Sequence, residues 1–217
     1  MRRDRKDKIS PFVILRMPRY LRYFEHLASI GVDRISSGDL GEMMGSTPSQ
    51  IRHDFSHFGE FGQQGYGYNV SMLRQEIIEI LGANQTRRIA VIGAGNLGRA
   101  MIVNFPFEQY GFNLTEIFDI APDLVGQKIN EITVCHIDEM EKKFQKTPPD
   151  VAVLAISADS ANDMAWRLAK LGVRGIWNFT NIDLTLQDTN VFVENIHFSD
   201  SLLTLSYYMT QKPGETK

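Results

Sequence analysis

The sequence has a single cysteine, Cys135, among its 217 residues, which excludes an internal disulfide bond. We expect this thiol to be packed in a core, because no residues with the spacing of a metal or catalytic site stand beside it. Long apolar runs are also lacking, since none approaches the roughly 18 residues that a membrane-spanning helix needs. The charged start, Met1 to Lys8, has no apolar segment of the kind found in secretory signals. Together these absences predict a cytoplasmic protein with no membrane partner.

A large excess of one charge is missing as well, since the formal net charge at pH 7 is −3. The hydrophobic fraction, 43%, and the charged fraction, 23%, are ordinary for a globular protein, and the length suits one or two domains. Residues 1–60 carry more Lys and Arg than Asp and Glu, whereas residues 61–217 carry fewer. A nucleic-acid-binding module is therefore expected in the N-terminal part.

The most informative stretch is a glycine-rich turn behind the short apolar run Ile89–Ile92. It consists of Gly93, Ala94, Gly95, Asn96, Leu97 and Gly98, and it leads directly into a helical segment through Phe105. Gly93 permits a tight turn, Gly95 leaves room for a pyrophosphate, and Gly98 lets the helix and the strand pack closely. The free N–H groups at the start of the helix would face the phosphates.

An acidic residue stands where a dinucleotide site needs one. A second strand is predicted over Thr115–Asp119, and Asp119 lies 21 residues beyond Gly98. Its carboxylate can accept hydrogen bonds from the adenosine ribose hydroxyls and would repel the additional phosphate of NADP. The pattern predicts an NAD(H) site. A Rossmann-like core with an empty turn is the structural alternative.

Three helices are predicted before this domain. The first is expected over Pro18–Ile30, with Tyr20, Leu21, Phe24, Leu27 and Ala28 on its apolar face. The second follows a cap at Ser36 or Ser37 and ends at Gly45. The third, Pro48–Phe58, begins with Thr47 as its cap and Gln50 in capping-box position. Two short helices joined by a glycine-containing turn are typical of a helix-turn-helix.

The third helix has a polar face that predicts contact with DNA. Gln50, Arg52 and His53 are candidates for base edges, because Gln and Arg can pair with adenine and guanine in the major groove. Ser49 and Ser56 are candidate phosphate contacts. Arg19 and Arg22 on the first helix, with Gln64 and Gly65 in the segment that follows the third, are expected to hold the DNA backbone and minor groove. A three-helix packing module with a polar face is the alternative.

The remaining segments complete the predicted architecture. The glycine- and aromatic-rich run Gly59–Tyr68 is expected to form a hairpin anchored by Phe61, Tyr66 and Tyr68, which behind a helix-turn-helix would be a wing. A fourth helix, Ser71–Leu81, precedes the domain boundary at Ala83–Thr86. Alternating strands and helices then predict a parallel sheet. The last helix, capped by Ser199 or Asp200, is apolar on more than one face, so it packs either on its own domain or in a partner subunit.

Several motifs together resemble the Rex family of redox-sensing transcriptional repressors, over about 18–208. They are Ser36-Ser37-x2-Leu40, Gln50-Ile-Arg-x-Asp54-Phe-Ser56-x-Phe58-Gly-Glu-Phe-Gly62, Gly65-Tyr-Gly-Tyr68, the glycine-rich turn, Ile117-Phe-Asp119, Trp177-Asn-Phe179 and Glu194-Asn195-x2-Phe198. The resemblance implies an α/β protein with a winged helix in residues 1–84, an NAD(H)-binding Rossmann domain in residues 85–196, and a C-terminal helix in residues 197–217 exchanged between the subunits of a homodimer. It also implies binding to operator DNA with inverted-repeat half-sites, and release when NADH replaces NAD⁺.

The resemblance further implies that Phe105 and Phe198 line the nicotinamide pocket. An apolar pocket penalises the charged ring of NAD⁺ more than the neutral ring of NADH. Many family members have Tyr at the position of Phe105 and Asp at that of His197, and these two act with an Arg that matches Arg22. The residues matching His53 and Gln64 are commonly Lys and Arg. An altered or blunted NADH response is therefore the alternative function.

An NAD-dependent oxidoreductase is the rival class, and it would need an acid or base beside the nicotinamide. Tyr208 and Lys212 have the spacing of a dehydrogenase pair, but no strand follows them, so we attribute the match to chance. His136 and His197 stand isolated in the sequence. We therefore expect no enzyme activity and no metal site. A Rossmann domain for another nucleotide is a third possibility.

Overall fold

The computed structural model describes residues 9–58, 62–63 and 66–210, with the backbone alone for residues 62–63. The chain divides into two compact units, Met1–Gln85 and Thr86–Lys217. The N-terminal unit contains a short antiparallel sheet with the strand order β1-β3-β2. Its elements are α1 (Pro11–Ser29), β1 (Arg34–Ile35), α2 (Ser37–Met44), α3 (Pro48–Ser56), β2 (Gly62–Gln63), β3 (Gly67–Asn69) and α4 (Val70–Leu81).

The first helix is longer than its sequence predicted. It begins at Pro11 rather than Pro18, and Pro18 lies inside it. Proline is unfavourable in a helix interior, which is why we expected the helix to start there. The buried side chains of Val13 and Met17 extend the apolar face across that position, and their packing offsets the missing hydrogen bond. Ala28, expected on the same face, is exposed.

The helix caps of the N-terminal unit follow the sequence closely. The Ser36 hydroxyl accepts from the Asp39 N–H at 3.1 Å, and the Thr47 hydroxyl accepts from the Gln50 N–H at 3.2 Å. Gly45 ends α2 in the left-handed conformation, with φ +62°. The predicted capping box is wrong in its second half, because the Gln50 side chain bonds elsewhere. Helix α3 also ends two residues before Phe58.

The predicted hairpin is present in the described residues. Strands β2 and β3 pair antiparallel, with Gln63 opposite Gly67. A side chain on Gly67 would overlap the Ile35 carbonyl oxygen, 2.6 Å from its ideal Cβ position, so β1 and β3 require a glycine there. Tyr68 is buried and anchors the hairpin, whereas Tyr66 is 68% exposed and does not. The third expected anchor, Phe61, lies outside the described residues, and so do Gln64 and Gly65.

A buried carboxylate joins α1 to α3. Asp54 has no exposed surface, and its two oxygens accept from the guanidinium of Arg16, twice at 2.7 Å, and from the Tyr20 hydroxyl at 2.9 Å. Burial alone would raise the pKa of this carboxyl. Hydrogen bonds from Arg16, Tyr20 and Gln50 outweigh burial and hold the pKa below its usual range. Burial, together with the hydrogen bond to Asp54, raises the pKa of Tyr20.

The second unit is a seven-stranded sheet in the order β10-β9-β8-β4-β5-β7-β6. The strands are β4 (Arg87–Ile92), β5 (Phe112–Asp119), β6 (Lys128–Ile129), β7 (Ile132–His136), β8 (Val151–Leu154), β9 (Gly175–Asn178) and β10 (Phe192–Asn195). The helices are α5 (Asn96–Asn104), α6 (Met140–Phe144), α7 (Ala158–Lys170) and α8 (Phe198–Thr210), with 3-10 turns at Phe107–Tyr110 and Ile137–Glu139. Alternate residues of β4 enter two different hydrophobic clusters, so both faces of the sheet are covered.

One edge of the sheet adds an antiparallel strand to the predicted parallel sheet. Strand β6 runs antiparallel to β7, and two residues connect the strands. These residues, Asn130 and Glu131, have φ values of +46° and +64°, which is the backbone of a tight hairpin turn. The Asn130 amide donates to the Ile102 carbonyl oxygen at 2.7 Å and so fixes the turn against α5. The sequence carries no glycine here, and we did not predict this strand.

The last helix differs from its prediction at its start and in its surroundings. It begins at Phe198, so Ser199 and Asp200 lie within its first turn rather than capping it. Every residue of α8 is exposed in the single chain. The exposed fractions of Leu202, Leu203 and Met209 are 67%, 68% and 78%. Packing on its own domain therefore does not bury this helix. Among the described residues, no helix is both long and apolar enough to cross a membrane.

We expect the substitution Asp54→Asn to lower the free energy of unfolding of the N-terminal unit by roughly 2–3 kcal/mol at pH 7, because it weakens hydrogen bonds to a buried charge. The pKa of Asp54 is lower in the folded protein than in the unfolded chain. Its contribution is therefore complete above the ordinary carboxyl pKa and is lost as the pH falls through the lowered value.

The difference in the free energy of unfolding between wild type and Asp54→Asn should accordingly become smaller below about pH 4. Urea unfolding followed by circular dichroism at several pH values measures this difference. The fluorescence of Trp166 and Trp177, which both lie in the second unit, serves as the internal control. A difference that stays constant down to pH 3 would contradict the prediction.

Candidate coenzyme site and nucleic-acid interface

The glycine-rich turn connects the end of β4 to the start of α5 in a shape that requires glycine. Gly93 has φ +99°, and a side chain there would overlap the backbone of Ala155. Its N–H donates to the Phe118 carbonyl oxygen at 2.8 Å. Gly98 lies so close to the carbonyl oxygen of Gly93 that no Cβ fits between them. The predicted roles of these two glycines in the turn and in the packing of helix on strand are therefore visible in the geometry.

Gly95 differs from its two neighbours in the motif. Its φ of −65° suits any residue, and an ideal Cβ there would meet no atom within 4 Å. Gly95 is the N-cap of α5, and no side chain among the described residues bonds this helix start. The first N–H groups of α5, beginning at Asn96 and Leu97, thus remain available to an anion. The open space beside Gly95 and the free N–H groups of α5 thus lie next to each other.

Asp119 stands at the end of β5, beside the turn. One carboxylate oxygen accepts from the Ala94 N–H at 2.6 Å, and the other accepts from the N–H groups of Ile120 and Ala121 at 2.7 and 2.8 Å. Asp119 therefore fixes the shape of the turn, a role that we did not predict. A carboxylate can accept about four hydrogen bonds, so one position remains for a ribose hydroxyl.

A cavity of about 330 Å³ adjoins Asp119, Gly93 and Gly95 at the carboxyl ends of the central strands. Ligands of open α/β sheets bind at this end. Most of its lining is apolar, and Ser157 and Ser160 at the start of α7 supply hydroxyl groups. No sequence pattern identifies these serines, because they lie 59 or more residues beyond Gly98 and belong to no recognised motif.

Phe105 lies at the other end of α5 from the glycine-rich turn. Its ring is 5.3 Å from that of Trp177, which is 4.8 Å from Phe179, and Phe179 is 6.0 Å from Phe198. The structure thus joins the two predicted pocket residues, Phe105 and Phe198, by a continuous row of aromatic rings. We had not assigned Trp177 and Phe179 to the pocket. Their alternate positions on β9 and just beyond it, which place both on one sheet face, are the signal that could have found them.

The two histidines that we expected to be isolated both have acidic partners. His197 Nε2 lies 2.9 Å from Asp183 Oδ1, and His136 Nδ1 lies 3.2 Å from Asp138 Oδ2. The Asp183 loop is 14 residues before His197, and no sequence motif connects the two. Where many family members have Asp, this chain therefore has a histidine that contacts the carboxylate of Asp183 from another segment.

The predicted DNA-contacting residues lie mostly on one exposed face of α3. Ser49, Arg52, His53 and Ser56 are exposed, and Arg52 donates to the Ser37 hydroxyl at 3.0 Å, which holds it over the start of α2. Gln50 corrects the prediction of a free side chain, because it is half-buried and donates from Nε2 to Asp54 Oδ1 at 2.8 Å.

The two arginines of α1 that we predicted to contact DNA differ in their surroundings. Both Arg19 and Arg22 are exposed. Arg19 donates to the Met44 carbonyl oxygen at the end of α2, so part of its guanidinium is committed to the fold. The two wing candidates, Gln64 and Gly65, lie outside the described residues. Among the residues that the structure describes, no group of three or more His, Cys, Asp and Glu side chains could hold a metal ion.

Two family descriptions match the chain: a CoA binding domain over residues 84–182, and a putative DNA-binding protein N-terminus over residues 8–56. The redox-sensing transcriptional repressor Rex of Clostridium novyi (strain NT) is 48% identical over 206 residues, which cover 95% of this chain and 98% of the relative. The chain belongs to the Rex family. Rex of Thermoanaerobacter pseudethanolicus (strain ATCC 33223 / 39E) is also 48% identical, over 96% of this chain and 93% of the relative.

Solved structures of RSP, a Rex-family repressor, match the chain over almost its full length. RSP in complex with beta-NAD+ and operator DNA is 48% identical, with a TM-score of 0.87 and coverage of 94% of both chains. RSP in complex with beta-NADH is 45% identical, with a TM-score of 0.85 and coverage of 94% of this chain and 95% of that one. The predicted combination of a DNA-binding N-terminal unit with a Rossmann-like unit is confirmed. So is membership of a family of transcriptional repressors rather than enzymes.

The different surroundings of two glycines in the turn give opposite expectations for the same substitution. Gly95→Ala meets no atom, so the variant should fold as the wild type does, but the added methyl group should weaken NADH binding about tenfold or more by displacing a phosphate from the backbone N–H groups. Gly98→Ala should instead lower the melting temperature of the Rossmann unit, since overpacking costs about 1–3 kcal/mol.

Thermal unfolding and calorimetric titration of NADH into both variants measure these effects. Wild-type NADH affinity in Gly95→Ala would contradict the placement of a phosphate at this glycine. An unchanged melting temperature in Gly98→Ala would contradict the close packing of α5 on the turn.

Proposed function

We propose that this chain is a redox-sensing transcriptional repressor that binds inverted-repeat operator DNA as a homodimer and leaves it when NADH replaces NAD⁺. The proposal rests on two features that occur together in one Rex-family chain. A helix-turn-helix presents an exposed polar face on α3, and a glycine-rich turn leads into an uncapped α5 beside Asp119. The relatives are named for this function, and RSP has been solved with beta-NAD+ and operator DNA and with beta-NADH.

The coenzyme would lie along the Rossmann unit in three parts. Its pyrophosphate would sit against Gly95 and the first N–H groups of α5, where the open space lies. Its adenosine would enter the cavity beside Asp119, Ser157 and Ser160. The row of rings from Phe105 to Phe198 supplies an apolar surface for the nicotinamide. Such a surface favours the neutral ring of NADH over the cationic ring of NAD⁺, so the redox state becomes a difference in binding energy without any reaction.

The DNA would be read by α3 and held by the surrounding basic groups. Gln50, Arg52 and His53 would face base edges, and Ser49, Ser56, Arg19 and Arg22 would lie near the phosphates. A dimer places two such helices in major grooves separated by about one helical turn or a small multiple of it. If NADH favours one arrangement of the dimer and DNA another, each ligand weakens the other by the same factor.

Dimer formation would give the last helix its partner. Helix α8 carries seven exposed large apolar side chains: Phe198, Leu202, Leu203, Leu205, Tyr207, Tyr208 and Met209. A contiguous apolar surface of this kind is unusual on a monomer and typical of an association site. We therefore propose that residues 197–217 are exchanged with a second copy of the chain. We also propose a cytoplasmic location, in keeping with the repressor function for which the relatives are named.

An altered NADH response is the second candidate, and two observations favour it. The Phe105 ring packs against the rings of Phe107, Tyr110 and Trp177, and it has no hydroxyl that could report on the coenzyme. His197 is paired with Asp183. Position 105 therefore lacks the tyrosine hydroxyl, and position 197 the carboxylate, that the family pattern implies.

Fluorescence anisotropy with a labelled inverted-repeat duplex at fixed salt tests the function. We expect tight binding in buffer and with NAD⁺, and a loss of affinity of at least about tenfold with NADH, which corresponds to a coupling of about 1.4 kcal/mol. A DNA affinity that is equal with both coenzymes would support the second candidate. Failure to bind any such duplex would contradict both.

The dimer has a separate prediction. The double substitution Leu202→Asp and Leu205→Asp places charges on the exposed apolar surface of α8, and it should convert the protein to monomers and weaken operator binding. Ser206→Asp adds the same charge at a polar position of the same helix and is expected to leave the mass unchanged. Light scattering after size-exclusion chromatography measures the molecular mass of each variant. A dimeric mass for the double variant would contradict a role of α8 in association.

A further inference from the structure

The side-chain amide of Gln50 is held by a buried carboxylate. Gln50 Nε2 lies 2.8 Å from Asp54 Oδ1, one helical turn along α3. Asp54 itself is fully buried, and its remaining positions accept from Arg16, twice, and from Tyr20. Four hydrogen bonds use the full accepting capacity of the carboxylate, so this group has no freedom to turn away from Gln50.

The contact determines which end of the amide faces inward. An ionised carboxylate only accepts hydrogen bonds, and the low pKa of Asp54 keeps it ionised at neutral pH. The Nε2 group of Gln50, and not Oε1, must therefore point to Asp54. One of its two N–H groups is consumed by that contact. The side chain keeps one N–H donor and one carbonyl acceptor for a ligand.

This remaining pair matches one base better than the others. In the major groove adenine presents an acceptor, N7, beside a donor, the N6 amino group. Guanine presents two acceptors, N7 and O6, and would need two donors for a bidentate contact. A free glutamine amide could offer guanine both of its N–H groups. Gln50 cannot do so while one of them is bound to Asp54.

We propose that Asp54 is a positioning residue for base recognition, which orients the Gln50 amide so that it selects adenine and rejects guanine. This inference rests on the proposed contact of α3 with the major groove. Asp54 lies on the inner side of the helix and does not touch DNA. It acts through Gln50, while Arg16 and Tyr20 of α1 hold it in place from the other side.

Asp54 also joins two helices, so its loss lowers stability whether or not it orients Gln50. Tyr20→Phe supplies the matched control. The Tyr20 hydroxyl bonds Oδ2 of the same carboxylate, whereas Gln50 bonds Oδ1. Removing that hydroxyl weakens the connection of α1 to α3 and leaves the Gln50 contact in place.

The test measures the ratio of affinities for paired duplexes. The operator is first selected from a randomised inverted-repeat library with the purified full-length protein. The base pair that Gln50 contacts is the one at which an A·T to G·C change costs wild type about tenfold or more and costs Gln50→Ala little. Replacing that adenine by 7-deazaadenine, which lacks N7, and by purine, which lacks the amino group, should each weaken wild-type binding but not that of Gln50→Ala.

The positioning role then makes a specific prediction for the variants. Asp54→Asn can present an N–H group to Gln50, so the amide is free to reverse, and discrimination against G·C should fall to the level of Gln50→Ala at this base pair alone. Tyr20→Phe should keep wild-type discrimination although its melting temperature falls. If Asp54→Asn keeps the wild-type ratio, or loses discrimination equally at every base pair, the positioning role is overturned.

Wild type and Gln50→Ala provide a second test that does not depend on a change at Asp54. If wild type binds the A·T and G·C duplexes equally well at the pair where Gln50→Ala loses affinity, Gln50 is not restricted to one donor and the inference fails. If instead the wild type selects no inverted-repeat duplex from the library, the proposed function itself fails. The two failures are therefore distinguishable.

Discussion

The contact between Gly98 and the carbonyl oxygen of Gly93 determines the geometry of the Rossmann unit. Because no side chain separates the two residues, α5 begins directly above the end of β4 and directs its first N–H groups into the space beside Gly95. Asp119, from the neighbouring strand, then bonds the turn at Ala94. Backbone packing, rather than a set of charged side chains, thus creates the place that we propose for the phosphates. The direction of α5 also sets the position of Phe105 at its far end, where the row of aromatic rings begins.

In the N-terminal unit a helix is held in position by side-chain hydrogen bonds rather than by backbone packing. Helix α3, which we propose contacts the bases of DNA, is short and would be marginal in isolation. The buried carboxylate of Asp54, bonded by Arg16 and Tyr20, fixes it against α1, while Arg52 contacts Ser37 at the start of α2. A buried charge of this kind is a weak source of stability unless its hydrogen bonds are complete, and here they are. The hydrogen bonds of Asp54 therefore both fix the position of α3 and hold the side chain of Gln50.

Elements of the fold that have a short-range cause could be predicted from the sequence, whereas elements that depend on tertiary contacts could not. Caps at Ser36 and Thr47, the left-handed Gly45 and the glycine-rich turn each have a short-range cause. The early start of α1 depended on packing that overrides Pro18. The β6–β7 turn uses Asn130 and Glu131 where glycine is usual, because the Asn130 side chain reaches α5. The pairing of His197 with Asp183 and the row through Trp177 and Phe179 join distant segments, so no local pattern could reveal them. The site assignments themselves remain predictions.

The antiparallel strand β6 has a consequence for how the sheet ends. A parallel sheet with a long exposed edge offers unpaired N–H and C=O groups to any other extended chain. Strand β6 covers the β7 edge with only two residues, of which Lys128 is exposed and charged, and its turn folds back onto α5. So short and charged an edge gives an incoming strand little to pair with. The hairpin that the sequence did not reveal thus protects this side of the protein against self-templated aggregation, a property relevant to a regulator that must stay dispersed while it searches for DNA.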